Sequence, residues 1–194
     1  IGNYSSGKMG FALAEACAER GAEVTLVAGP VSLKTHHPAI KRIDVESAGE
    51  MYQAAMTAFP SSDAAILCAA VADYRPENAS EQKIKRETEG EMTLHLVPNP
   101  DIAASLGAIK REGQVMVGFA LETNDEATHA EGKLKRKNLD FIVLNSLRDQ
   151  GAGFRCDTNK ITIIDNAGGV TSYPLKTKRE VACDIVNKLV TLLK

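Results

Sequence analysis

The serine- and glycine-rich segment that opens the chain has the composition of a loop that binds anions. The P-loop pattern G-x-x-x-x-G-K-[ST] matches as far as Lys8, but Met9 stands where the Ser or Thr that binds Mg²⁺ is required. Ser5, Ser6 and Gly7 still place hydroxyls and backbone N–H groups at the start of a predicted helix, where anions bind. We therefore predict an anion site here; the alternative is that one of the two serines only caps the helix and that Gly7 only relieves packing.

A second group of candidate residues follows the apolar run 64–70, whose composition is typical of a parallel strand buried on both faces. Ligands of open α/β sheets bind beyond the carboxyl ends of the strands, so Asp73 would meet a sugar hydroxyl or a metal ion there. The small side chains of Ala69 and Ala70 would let a ligand approach the backbone. The alternative is that Asp73 only caps a turn.

Two lysine-rich segments supply positive charge of the kind that binds a polyphosphate. Lys83 lies in the basic segment 82–86, which suits a flap that closes on phosphates, although a solvated loop is the alternative. Lys133 and Lys137 are four residues apart on a predicted helix and therefore share one face. Together they could bind one polyphosphate; the alternative is that they only complement the helix dipole.

The segment 99–102 reads as the start of a helix that ends near Arg111. Asn99 is the predicted N-cap and Pro100 the predicted first helical residue. The free N–H groups of the first turn, which includes Asp101 and Ile102, would face the ligand edge of the sheet. Nucleotide phosphates could use them, or the motif could serve only as a cap.

Helices and strands alternate along most of the chain, which predicts the scaffold that positions these residues. The predicted helices are 7–20, 47–58, 99–111, 124–136 and 177–194, and the predicted strands are 23–29, 42–45, 64–70, 93–97, 115–120, 140–145 and the hairpin 160–165/170–173. This order favours a single domain over residues 1–194 with a Rossmann-like, doubly wound, mostly parallel α/β sheet and a C-terminal β-hairpin. Because a βαβ unit needs a strand before its helix, we expect a first strand that is missing from this chain.

The composition excludes several classes of function. The net charge is −2 and aromatic residues make up 5%, which disfavours a nucleic-acid-binding surface. No apolar run approaches the roughly 18 residues of a membrane helix, so we expect no membrane partner. The four cysteines are widely spaced, which favours reduced thiols in a cytoplasmic protein. No zinc-ligand spacing is present, and apart from Asp73 the residues alone indicate no metal ligand.

Six segments, taken in order, resemble one known family. They are NYSSGKMG, AAVADYRP, KIKR, NPDI, GFALET and KNLDFIVLN. Together they are similar to phosphopantothenoylcysteine synthetase, the domain that bacteria usually fuse behind a flavin-dependent decarboxylase of coenzyme A biosynthesis. The resemblance runs from residue 1 to the end, and it is closer to the bacterial, CTP-using form than to the ATP-using eukaryotic form.

The resemblance implies a two-step ligase reaction with Mg²⁺. The carboxylate of 4′-phosphopantothenate attacks the α-phosphate of CTP, which gives an acyl cytidylate and pyrophosphate. The amine of cysteine then forms the amide and releases CMP. The resemblance also implies a homodimer, a decarboxylase domain fused upstream and no flavin in this domain. In the family, an arginine that reaches the neighbouring subunit precedes the position of Ile1.

Residue roles follow from the resemblance at matching positions. Asn3 would contact the acyl intermediate, and Lys83 would lie on a flap that covers it. The strand-end segment would meet pantothenate and nucleotide through Ala69, Ala70 and Asp73. The turn at 99–102 would bind nucleotide through Asn99, Pro100, Asp101 and Ile102. Three further residues would contact CTP, namely Phe119, Lys133 and Lys137.

A different class of function would suit the same sheet. An NAD(P)-dependent oxidoreductase, or a nucleotide-binding module without catalysis, would bind a dinucleotide and release no pyrophosphate. The dinucleotide pattern G-x-G-x-x-G is absent from the first loop, which disfavours the oxidoreductase.

Overall fold

A computed structural model describes residues 5–78, 80, 92–122, 126–146 and 156–193. The helices are α1 (Lys8–Glu19), α2 (Ala48–Ala58), α3 (Ile102–Ile109), α4 (Glu126–Arg136) and α5 (Lys178–Leu192). The strands are β1 (Val24–Ala28), β2 (Ile40–Asp44), β3 (Ala64–Leu67), β4 (Tyr74–Pro76), β5 (Leu96–Pro98), β6 (Val115–Glu122), β7 (Phe141–Ser146), β8 (Thr158–Asn159), β9 (Ile161–Asp165), β10 (Val170–Ser172) and β11 (Lys176–Thr177). In the described part of the chain, no helix has the length and apolarity needed to cross a bilayer.

The largest sheet has the strand order β10-β9-β7-β6-β3. Its strands β3, β6 and β7 are parallel, whereas β9 and β10 form an antiparallel hairpin at one edge. A separate parallel pair joins β1 to β2, and two short antiparallel pairs join β4 to β5 and β8 to β11. The predicted mostly parallel α/β sheet with a C-terminal hairpin is therefore confirmed. The missing first strand stays a prediction.

Side chains of the central strands alternate between two cores, one on each face of the sheet. On one face, α1 and α5 pack against the strands through residues such as Leu13, Ile185 and Val143. On the other face, α3 and α4 pack through residues such as Leu106 and Ile142. Burial on both faces explains why β6 and β7 read as nearly continuous apolar runs.

The helix starts follow from local capping chemistry. The Ser47 hydroxyl accepts a hydrogen bond from the backbone N–H of Glu50 at 3.1 Å, as expected for the predicted cap of α2. Thr177 and Glu180 form a reciprocal capping box at the start of α5. α1 begins differently, because Gly7 is its N-cap in the left-handed region (φ 76°), without a side-chain cap.

Three sequence predictions are wrong in their details. Asp101, not Asn99, caps α3, so Pro100 precedes the cap and the helix ends at Ile109 rather than near residue 111. The run 64–70 is a strand only to Leu67, and its side chains are half-buried, because β6 is its one partner strand in the described part. The strand predicted at 93–97 forms at 96–98, where it pairs with 74–76 in a segment predicted to be irregular.

Candidate functional site

The carboxyl ends of three parallel strands lie at one edge of the sheet. The register pairs Leu67 with Gly118 and Leu121 with Asn145, so β3, β6 and β7 all run toward this edge. β3 ends beside Gly118, whereas β6 and β7 continue together to Glu122 and Ser146. Cys68 and Phe119 pack against the core on the α1 and α5 face. Asn145 lies two residues beyond Val143 of the same core, and the alternation of a strand therefore places it on that face. The edge follows the general rule for ligand sites in α/β sheets.

The loop before α1 leads into the helix through Gly7, which is the N-cap residue. The Ser5 hydroxyl accepts a hydrogen bond from the Gly7 N–H at 3.3 Å. A side chain on Gly7 would crowd Val31, whose Cγ1 would lie 3.1 Å from the added Cβ, so Gly7 does relieve packing as the alternative interpretation expects. The first turn of α1 presents backbone N–H groups next to Ser5 and Ser6, and the anion site stays a prediction.

The structure joins the loop after β3 to the turn before α3. The backbone N–H of Asn99 donates to the Asp73 carbonyl at 2.8 Å, and the Asn99 side-chain amide donates to the Ala72 carbonyl at 2.8 Å. The Arg75 guanidinium donates to the Pro98 carbonyl at 2.8 Å and to the Asn99 side-chain oxygen at 3.2 Å. Asn99 is therefore a connecting residue rather than a cap. Ala69 and Asp73 are exposed beside this junction.

Asp101 connects the α3 N-terminus with the end of α4. Its carboxylate accepts from the Ala104 N–H at 3.0 Å and lies 3.1 Å from the Lys137 ammonium. Partial burial raises the pKa of Asp101, but the hydrogen bonds from Ala104 and Lys137 outweigh that effect and hold the pKa below its usual range. Two segments predicted to bind nucleotide thus meet at this ion pair.

The other predicted site residues lie in different surroundings. Phe119 is half-buried in the α1 and α5 core, whereas Ile102 packs against the core on the opposite face. Ala70 and Lys133 are half-buried. Asn3 and Lys83 lie outside the described residues, so their roles stay predictions.

Asn145 is a candidate site residue that the sequence reasoning missed. It is 8% exposed, and its side-chain oxygen is buried without a hydrogen-bond partner in the described part of the chain. Such an oxygen costs free energy unless a ligand or water donates to it. The available signal was a polar residue at the end of the apolar run FIVLN, the same signal that identified Asp73.

A buried cation lies beneath the edge. Lys178, the first residue of α5, is 7% exposed and its ammonium donates to the Asn159 side-chain oxygen. Burial raises the pKa of Cys68 to about 12, and the positive charge of Lys178 opposes that rise. Lys178 therefore lies close to the residue that precedes Ala69. The described residues hold no group of three or more His, Cys, Asp or Glu side chains suited to a metal ion.

Comparison with known proteins agrees with the predicted resemblance. The family model described as "DNA/pantothenate metabolism flavoprotein C-terminal domain" matches residues 1–193. A protein named cysteine/cysteine sulfinic acid decarboxylase, from an unknown prokaryotic organism, is 58% identical over 193 residues, which cover 100% of this chain and 54% of that protein. The coenzyme A biosynthesis bifunctional protein CoaBC of Vibrio parahaemolyticus is 47% identical over 194 residues, covering 100% of this chain and 48% of that protein.

A solved structure shows the same fold. The crystal structure of the C-terminal domain of CoaBC superposes with a TM-score of 0.81 at 36% identity, covering 98% of this chain and 84% of that one. This chain spans about half the length of the curated relatives that it matches. The match over residues 1–193 confirms the resemblance read from the motifs, and the chain belongs to the family of DNA/pantothenate metabolism flavoprotein C-terminal domains.

Proposed function

We propose that this domain is a cytoplasmic phosphopantothenate–cysteine ligase that uses CTP. The observation that carries the proposal is the hydrogen-bonded junction between Asp73 and Asn99 at the carboxyl edge of the sheet. This junction joins two segments expected to bind the nucleotide, in a chain that is 47% identical to a CoaBC protein. The loop before α1 would bind a further negatively charged group of the substrates.

The protein would act mainly by positioning and by neutralising charge. A carboxylate is a poor electrophile. Its attack on the α-phosphate of CTP expels pyrophosphate and gives an acyl cytidylate, in which CMP is a good leaving group. Lys133 and Lys137 would neutralise the triphosphate, while Asn3 and Lys83 would contact the acyl intermediate. The buried oxygen of Asn145 would accept a hydrogen bond from a ribose hydroxyl or an exocyclic amine. Such preorganised contacts lower the barrier without covalent chemistry by the protein.

Mg²⁺ fits this arrangement as an ion held chiefly by the phosphates of the nucleotide. Mg²⁺ commonly binds through one or two carboxylates together with substrate phosphates, and Asp73 offers an exposed carboxylate at the edge. When bound, the ion would withdraw charge from the α-phosphate. The flavin would belong to a decarboxylase domain fused upstream, not to this domain.

A pyrophosphate-release assay with 4′-phosphopantothenate tests the proposal. We expect release with CTP, little with ATP, and an acyl cytidylate detectable by mass spectrometry when cysteine is omitted. Adding cysteine should convert this species to the amide and CMP. Lys83→Gln should slow turnover while the protein stays folded, because the basic flap segment is expected to be exposed.

Other results would contradict the proposal. Binding of NAD(P) without any pyrophosphate release would favour an oxidoreductase or a nucleotide-binding module. Release of CO₂ from cysteine alone would instead support the activity named for the relative that is 58% identical.

The homodimer implied by the resemblance finds support in exposed apolar side chains around β4 and β5. Tyr74, Met92 and Leu94 are 53%, 62% and 56% exposed, an apolar surface that a second copy could cover. Light scattering should give twice the monomer mass, and Leu94→Glu should give the monomer. A monomeric wild-type protein would contradict this part of the proposal.

A further inference from the structure

Lys178 is a charged side chain that is buried at the start of α5. Its ammonium donates to the side-chain oxygen of Asn159 and lies 3.5 Å from the Thr158 carbonyl. These contacts connect the first residue of α5 to β8. Burial lowers the pKa of Lys178. A buried charged side chain beside the ligand edge of a sheet is a candidate for a functional role.

The segment that Lys178 holds extends to the loop before α1. The backbone N–H of Lys178 donates to the Asp157 carbonyl at 3.0 Å, and Thr177 pairs with Thr158 between β11 and β8. The carboxylate of Asp157 lies 2.6 Å from the Lys8 ammonium. A continuous set of contacts therefore runs from the buried Lys178 to the first residue of α1.

Lys8 occupies a position that is unfavourable for a cation. It opens α1, whose first turn contains no acidic residue, and a positive charge there opposes the helix dipole. Asp157 supplies the missing negative charge from another part of the chain. The hydrogen bond from Lys8 is also the main reason that the pKa of Asp157 is held below its usual range. Lys8 directly follows Gly7, so fixing Lys8 also fixes the end of the anion loop.

We propose that Lys178 is a positioning residue, which acts through Asn159 and Asp157 to hold Lys8 and the Ser5–Gly7 loop ready for the negatively charged groups of the substrates. This inference rests on the ligase function proposed above. Lys178 is buried and its ammonium contacts Thr158 and Asn159, so it would order the loop without touching the substrate. The Asp157 side chain is 83% exposed, so an incoming phosphate could replace Asp157 as the partner of the Lys8 ammonium.

Steady-state kinetics with a matched control test the role. Lys178→Met should raise the KM for CTP or for phosphopantothenate about tenfold and change kcat less, and Lys178→Arg should recover part of the loss. Asp157→Asn, a change at an exposed residue that leaves folding intact, should act in the same direction. Lys110→Met is the control, because Lys110 forms an equally short, 2.6 Å pair with Asp140 at the opposite end of the sheet. The control should leave both KM values unchanged.

A double-mutant cycle separates positioning from general destabilisation. If Lys178 acts through Lys8, the effects of Lys8→Met and Lys178→Met on KM should be clearly less than additive. Lys110→Met and Lys8→Met should be additive. Additive effects of the Lys8 and Lys178 changes, or unchanged KM values in Lys178→Met and Asp157→Asn, would overturn the inference.

Hydrogen exchange tests the same inference without relying on catalysis. Amides of residues 5–10 should exchange faster in Lys178→Met and Asp157→Asn than in the wild type, and at the wild-type rate in Lys110→Met. Equal protection of this segment in all four proteins would overturn the positioning role. A wild type that releases no pyrophosphate would instead contradict the ligase function, and the exchange result would still decide what Lys178 does.

Discussion

The backbone N–H of Asn99 donates to the carbonyl oxygen of Asp73 over 2.8 Å and thereby joins two turns that are far apart in the sequence. One turn follows a parallel strand of the main sheet, and the other leads into α3. Ligands at such an edge contact several turns at once, so the relative position of the turns sets the shape of the site. The side chain of Asn99 holds them together through Ala72 and Arg75.

Asn99→Ala should loosen this junction. The variant loses the hydrogen bond to the Ala72 carbonyl, so we expect a loss of about 1 kcal/mol in the free energy of unfolding and about a tenfold weaker affinity for CTP. Titration calorimetry and urea unfolding measure the two effects. The control is Asn187→Ala on α5, which removes the side-chain oxygen that accepts a hydrogen bond from Arg20 and should leave CTP affinity unchanged. Equal CTP affinity in Asn99→Ala and the wild type would show that Asn99 stabilises the junction without contributing to nucleotide binding.

Asn145→Leu should separate stability from binding. Its side-chain oxygen has no partner in the described part of the chain, so an apolar replacement should leave the free energy of unfolding within about 1 kcal/mol of the wild type or raise it. Affinity for CTP should fall about tenfold or more, because a hydrogen bond to the ligand is lost. Thermal unfolding and calorimetric titration of the same samples measure both. A large loss of stability with unchanged affinity would show that Asn145 is a structural residue.

Gln114 provides the matched control for Asn145. It is also a buried amide, but it lies just before β6 and is satisfied by Arg111, Phe59 and Ser62. Gln114→Leu leaves these backbone groups without their partner and should cost roughly 1–3 kcal/mol of stability. Affinity for CTP should not change, because Gln114 lies at the end of the sheet opposite the site.

The sequence predicted the scaffold well because periodicity and capping are local signals. Apolar runs identified β6 and β7, and the hairpin turn at 166–169 identified β9 and β10. The same local reasoning failed at Asn99, because its side chain bonds to the Ala72 carbonyl across the junction. Competition between a local cap and a distant partner cannot be read from spacing alone, and Asp101 was the stronger local cap.

Candidate site residues were predicted where they followed apolar runs or matched a known motif. Lys178 and Asp157 were missed because their importance depends on where two helix N-termini meet in space. In sequence, Lys178 reads as an ordinary solvated lysine at the start of an amphipathic helix. Its burial arises from the β8–β11 pairing, which has no period or turn signal of its own.

Gly107→Ala should damage the packing beneath the nucleotide turn. A Cβ on Gly107 would overlap the backbone carbonyl oxygen of Lys137, so α3 and the end of α4 must separate. We expect a loss of about 1–3 kcal/mol in the free energy of unfolding. Because Lys137 pairs with Asp101, CTP affinity should fall as well. Urea unfolding and calorimetry measure the two effects.

Gly132→Ala is the control for this glycine. A Cβ there meets no atom within 4 Å, and Gly132 lies inside α4. The change should stabilise the protein by roughly 0.5–1 kcal/mol, because alanine favours the helix and restricts the unfolded chain. If both variants were equally stable, the close approach at Gly107 would not be the limiting contact between α3 and α4.

Asp165→Asn should reduce stability at neutral pH and lose its effect in acid. The Asp165 carboxylate accepts from Lys188 at 2.9 Å and from the Gly169 N–H at 2.7 Å, so it anchors the hairpin turn to α5. The Lys188 hydrogen bond, followed by the Gly169 bond, holds the pKa of Asp165 below its usual range. A carboxyl with a depressed folded pKa stabilises the protein above its unfolded pKa, about 3.9, and this contribution disappears as pH falls through the folded value.

Urea unfolding between pH 7 and pH 2 measures this dependence. The wild type should be more stable than Asp165→Asn by roughly 1–3 kcal/mol near pH 7, and this difference should shrink as pH falls below about 3.9 and through the lower folded pKa of Asp165. Asp44→Asn is the control, since its exposed pair with Arg42 should contribute less than about 1 kcal/mol at any pH. A constant difference between the wild type and Asp165→Asn down to pH 2 would mean that the amide disrupts the turn by shape, not by loss of charge.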